Sequence, residues 1–109
     1  MAYSEALAVR VREALGPRDG VREQAMFGGV AWMLNGNMAC GVMGDGLMVR
    51  LAREDAEAAL AEPHVGPMEM TGTRMRSFVV VNADGIADDR ELARWVDAGA
   101  AFASSLPAK

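Results

Sequence analysis

Four arginines fall in two close pairs, Arg50 with Arg53 and Arg74 with Arg76. A guanidinium presents a fixed fork of donors that suits carboxylate and phosphate groups. If the fold brings the two pairs together, they make a local cationic patch able to hold an anion or an acidic partner. Solvated charge is the plainer reading of each pair by itself. No base or nucleophile lies near them in the sequence.

The other reactive side chains are isolated. His64 is the one histidine and Cys40 the one cysteine. A zinc site wants four ligands of Cys, His or carboxylate type at suitable spacing, so the expected metal content is none. His64 follows Pro63 and reads as a surface loop residue. Cys40 sits between Met38 and Val42 and reads as a buried, inert thiol. The glycine pairs lack the Gly-Lys of a phosphate loop and the strand-to-helix setting of a dinucleotide site, and no cofactor is expected. Asp88, Asp89 and Glu91 resemble an acid–base cluster, but Asp88-x-x-Glu91 is the pattern of a helix N-terminus. Glu54, Asp55 and Glu57 read as the first turn and wet face of another helix.

The 109 residues carry a formal charge of −4. That length predicts one domain over residues 1–109. Affinity for nucleic acid comes largely from neutralising phosphates, so an acidic chain is not expected to bind DNA directly. A single cysteine fits a reducing, cytoplasmic setting. No apolar run reaches the ~18 residues of a membrane span, and the acidic residues near the N-terminus do not suit a targeting peptide.

Positioning these residues requires helices at both ends and strands between. Tyr3, Leu7, Val11, Ala14 and Leu15 recur at helical spacing, with Ser4 at the start and Gly16-Pro17 at the stop. From Gln24 to Leu51 three apolar segments are joined by Asn35-Gly36-Asn37 and Gly44-Asp45-Gly46, which predicts a three-stranded antiparallel meander. Gly28-Gly29 reads as a bulge or close backbone approach within the first strand. A short helix is expected over residues 53–61. An irregular stretch follows over 62–73, with a short strand at Met68-Glu69-Met70. Residues 76–82 form a strand by their β-branched run. The last helix spans about 89–105, with Leu92, Trp95, Val96, Gly99, Phe102, Ala103 and Leu106 inward.

The natural assembly of these elements is α+β: one antiparallel sheet with the helices gathered on one face. Both faces of the meander are apolar. Val30, Trp32 and Leu34 oppose Ala31 and Met33, while Leu47, Val49 and Leu51 oppose Met48. Soluble monomers rarely leave an apolar patch much beyond roughly 300–600 Å² uncovered. Either the stretch over 62–73 folds across the open face or a second copy covers it. The nine methionines, flexible and polarisable, suit either role.

The chain resembles the N-terminal domain of the TfoX/Sxy family of competence regulators. The resemblance rests on Met26-Phe27-Gly28-Gly29, Gly41 and Gly46-Leu47-Met48-Val49-Arg50. It continues through Met75 with Phe78, and through Asp88, Leu92 and Trp95. It implies a two-layer domain in the order α-β-β-β-α-β-β-α, an antiparallel sheet of about five strands similar to that of secretion chaperones. Those chaperones are dimers, which tilts the expectation to a homodimer. The better-studied members are coactivators that work with the cyclic-AMP receptor protein and carry a second, helical domain. The resemblance implies no catalytic residues, and Met26, Phe27, Gly28 and Gly29 are expected to be structural. The expected function is a non-enzymatic protein–protein interaction domain in transcriptional regulation, with an unidentified protein partner and no membrane. A small-ligand or anion-binding protein or enzyme using the arginines is the alternative.

Overall fold

The computed structural model describes residues 3–26, 28–70 and 72–109, with Met70 described by its backbone alone. Helix α1, Glu5–Leu15, starts where Ser4 accepts a hydrogen bond from the amide of Leu7 at 3.1 Å, and it ends at Gly16 with φ 61°. Its buried stripe is Leu7, Ala8, Val11 and Leu15. Four strands follow: β1, Val21–Met26; β2, Gly29–Leu34; β3, Asn37–Met43; and β4, Gly46–Arg50. Helix α2, Arg53–Ala59, leads into β5, Val65–Met70, and β6, Thr73–Val81. A 3-10 turn, Ala83–Ile86, precedes the long helix α3, Asp89–Ser105. The six strands form one sheet in the order β1-β2-β3-β4-β6-β5, with every neighbouring pair antiparallel.

The architecture is the expected α+β one with an extra strand. The meander has four strands rather than three, and Gly28-Gly29 is not a bulge inside the first of them. Met26 pairs with Gly29, and Gly28, at φ 76°, lies in the turn between β1 and β2. The close approach expected there does occur: a Cβ on Gly29 would overlap the carbonyl oxygen of Val42. Strand β1 escaped the pattern because its four central residues are exposed, as befits a sheet edge. The stretch expected to be largely irregular contains β5, a six-residue strand. The strand contains Gly66 and Pro67, and an edge strand tolerates proline because one side of its ladder pairs with nothing. The register shifts between Pro67 and Met68. Helix α2 closes at Ala59, earlier than expected, through a tightened last turn in which Glu62 N–H donates to Ala59 O at 2.9 Å.

One face of the sheet builds the core. Trp32, Cys40, Val49 and Val79 are paired in a row across β2, β3, β4 and β6, as are Val30, Val42, Leu47 and Val81. All eight are buried together with residues of all three helices. Ala39 is the extra residue of a bulge in β3, and it too enters the core. Helix α3 crosses at that bulge. A Cβ on Gly99 would overlap the carbonyl oxygen of Ala39, so only glycine lets the helix settle so low. The side chain of Asp88 caps α3 by accepting from Arg90 N, the second amide of the helix, at 2.8 Å, whereas Glu91 turns away to Arg94 at 2.7 Å, so the helix is capped but the reciprocal capping box of Asp88-x-x-Glu91 does not form.

Both ends of the chain are tied to hairpin turns. The amide of Ser4 donates to Gly44 O at 2.6 Å, beside a parallel bridge from Tyr3 to Gly44. At the other end the buried side-chain amide of Asn37 donates to Pro107 O at 3.0 Å, and Lys109 N donates to Asn35 O at 2.9 Å.

Candidate functional site

The four arginines that could hold an anion are divided by the fold. Arg74 and Arg76, on β6, both reach Glu57 of α2, at 3.3 and 3.9 Å. Arg50, the last residue of β4, lies between the rings of Phe78 and Phe102, at 5.9 and 5.7 Å from their centroids. Its Nε is buried without a hydrogen-bond partner. Arg53, the first residue of α2, is exposed. Helix α2 thus carries Arg53 and holds Arg74 and Arg76 through one shared carboxylate, while Arg50 is held apart between two rings. Among the described residues, Arg50 and Arg53 have no ion pair.

The isolated reactive groups remain isolated. Burial pushes the Cys40 thiol up to about 12, so it is protonated and poorly nucleophilic at neutral pH. His64 is exposed and has φ 69°, a backbone conformation that costs a non-glycine residue energy. Among the described residues no group of three or more His, Cys, Asp or Glu side chains is placed to hold a metal ion. No helix among them is long and apolar enough to cross a membrane. Of the motif Met26-Phe27-Gly28-Gly29, Phe27 lies outside the described residues; the other three shape the β1–β2 hairpin.

Two surfaces stand out instead. The first is the sheet face away from the helices. A row of Ala31, Gly41, Met48 and Val80 runs across it, and the Met48 methyl lies 2.5 Å from where a Cβ on Gly41 would sit. Strand β5 places Pro67 and Met68 beside Met43, Met48 and Val80 around a cavity of about 320 Å³. Strand β5 is paired in the sheet beyond β6, so the stretch over 62–73 extends the sheet and brings Met68 beside Met48 at its margin rather than folding across the open face. Met48 and Met68 are buried, while Met43 stays 38% exposed.

The second surface, unnoticed in the sequence, is a groove of about 520 Å³ between α2 and α3. Its floor includes Leu51, Ala59, Trp95 and Phe102, and its walls carry Ala58, Ala98 and Ala101. Helix α1 packs on α3, and α2 packs on β6, which leaves the crease between α2 and α3 open. Arg94 stacks on Trp95 at 4.4 Å and binds Glu91 and Glu62 at 2.7 and 2.9 Å. Those two carboxylates hold its guanidinium above its ordinary value. Alanine is the strongest helix former, so nothing in the sequence marked these alanines as the walls of an open space.

A polar triad closes the far side of the helix layer. Glu23 of β1 accepts from Arg12 at 2.7 and 2.8 Å and from the Trp32 indole at 3.0 Å. The Arg12 hydrogen bond holds the Glu23 carboxyl below its ordinary range, against the opposing effect of partial burial. This is an anchor for the sheet edge rather than a reactive centre, since all three partners are already satisfied.

No curated protein and no solved structure matches the chain. A family model described as the TfoX N-terminal domain matches residues 13–103. That span runs from the end of α1 through nearly all of α3, so it takes in the whole sheet and both surfaces just described. The chain belongs to the TfoX N-terminal domain family.

Proposed function

We propose that this chain is a non-enzymatic protein–protein interaction domain that serves transcriptional, competence-type regulation. The observation that carries the reading is Met43, a large apolar side chain left 38% exposed at the mouth of a methionine-lined cavity on the open sheet face. Methionine is adaptable and over-used at surfaces that accept partners. Membership of the TfoX N-terminal domain family supports the regulatory setting. The net charge of −4 favours a protein partner over duplex DNA.

A photoreactive methionine analogue at position 43, activated in the source cell, tests the reading. A discrete protein adduct is the expected result. Adducts confined to small molecules or solvent would reject protein contact at this face. A second copy is the proposed occupant wherever the adduct is the chain itself. Sedimentation at micromolar concentration then reads a mass near twice 11.6 kDa.

Anion binding is a second reading, favoured by one observation: the unpartnered Nε of Arg50 within its aromatic clamp. A thermal-shift series with carboxylates and phosphates addresses it. Stabilisation that disappears in Arg50→Ala would replace the first reading with this one.

A further inference from the structure

We propose that the groove between α2 and α3 receives a basic amphipathic helix of a partner protein. The inference rests on the protein-interaction reading and adds to it a second surface and the chemistry of its occupant. Three observations support it. The groove is apolar at its floor, where Trp95 and Ala59 are 3% and 4% exposed beneath an opening of about 520 Å³. Its walls bear methyl groups only, at Ala58, Ala98 and Ala101, so an incoming backbone can approach closely. Its rim is acidic. Asp55 and Glu62 border it, and its cation, Arg94, is already held by Glu62 and Glu91.

An occupant must therefore bring apolar side chains for the floor and positive charge for the rim. An open trough between two helices suits an elongated element better than a compact ligand. The recurrent solution is an amphipathic helix whose i, i+3, i+4 and i+7 residues fill the groove. Lysine or arginine flanking that stripe meets Asp55, the lining carboxylate with no ion pair among the described residues, in a rim where Glu62 and Glu91 outnumber Arg94, which steers the encounter and suppresses acidic competitors. Arg94 stacked on Trp95 forms a fixed edge against which the helix lies.

The test uses three 15-residue probes: a Leu/Lys helix with one apolar face, a Leu/Glu helix of the same pattern, and the Leu/Lys composition scrambled. Amide chemical shifts of the labelled protein are the readout. The Leu/Lys helix is expected to move Trp95, Ala98 and Ala101 saturably, with at least ten-fold weaker effects from the other two probes. Ala58→Trp and Ala101→Trp start from exposed positions on opposite walls and leave the charge unchanged. Either should weaken binding ten-fold or more. Equal binding of the scrambled probe, or no effect of both plugs in folded protein, would overturn the inference as mere charge attraction. Shifts centred on Met43 would move the occupant to the sheet face. A response to octanoate with the helices silent would assign the groove to small acids. Loss of the groove response with the Met43 adduct intact removes this inference alone; loss of the adduct alone removes the face reading.

Discussion

The two faces of the sheet use neighbouring residues for different work. Leu47 and Met48 follow one another in β4, and both are buried, at 0% and 2% exposure. Leu47 joins the continuous core shared by the three helices. Met48 lies outside that core, over Gly41 and against β5. The helix face is filled by branched aliphatic side chains packed from both sides. The other face is filled by its own long, flexible side chains, with Pro67 and Met68 of β5 at its margin. Burial is similar on the two; the means of achieving it are not. Packing by flexible methionines predicts that this face yields to substitution more readily than the helix face.

The sharpest test replaces these neighbours in turn. Leu47→Ala should cost about 3–5 kcal/mol, because the surrounding helices cannot collapse into the void. Met48→Ala should cost no more than about 2 kcal/mol, because the cavity beside it is open to side-chain rearrangement. Chemical denaturation with unchanged m-values measures both. Equal losses would break the distinction between the faces. Next in size is Gly99→Ala, which drives a methyl group against the Ala39 carbonyl where α3 sits on the β3 bulge. Overpacking of this kind should cost about 1–3 kcal/mol, visible as a lower Tm.

A smaller effect is expected at the margin of the covered face. Glu23 has its folded pKa below the ordinary 4.5, chiefly through the Arg12 hydrogen bond. Its contribution is therefore complete above that value and disappears as the pH falls through the depressed one. Both partners are substantially exposed, at 41% for Arg12 and 39% for Glu23, so solvent screens the pair. The effect should stay within the ~0.2–1 kcal/mol of surface ion pairs. Glu23→Gln should flatten the stability profile below pH 4.5, and a profile unchanged from the parent would show that the triad adds nothing. The smallest change belongs to Met43→Asp. Folding free energy should stay within ~0.5 kcal/mol, while any self-association read by sedimentation should be lost. A large folding loss would show that packing on the open face is no looser than on the helix face.

The sequence read most truly where local chemistry decides the outcome. Ser4 and Gly16 bracket α1, Asp88 opens α3, and the Asn-Gly and Asp-Gly turns join β2, β3 and β4. Alternation also paired Val30, Trp32 and Leu34 on one face correctly. It failed at the two sheet edges for opposite reasons. β1 is a strand without apolar alternation, held by ladder bonds and by Glu23 reaching Trp32 and Arg12. β5 is a strand that contains Gly66 and Pro67, tolerated because it has one neighbour only. The candidate site was less legible still. The arginines were visible, but their division between Glu57 and the Phe78–Phe102 clamp depends on tertiary placement. The groove is made of space that alanines leave, and a pattern of residues records volume present rather than volume missing.

The ties at the two chain ends carry a mechanical consequence. Tyr3 and Ser4 are attached at Gly44, just beyond the end of β3, and Lys109 is attached at Asn35, just before its start. Tension applied between these two points acts along β3 itself. Its seven residues would span roughly 23 Å at the usual rise of a strand. The hydrogen bonds of β3 to β2 and β4 lie across that line of force, so the pull shears many of them together instead of peeling them one after another. Force directed along this line meets the collective resistance of the ladder, while force at a sheet edge would open it bond by bond.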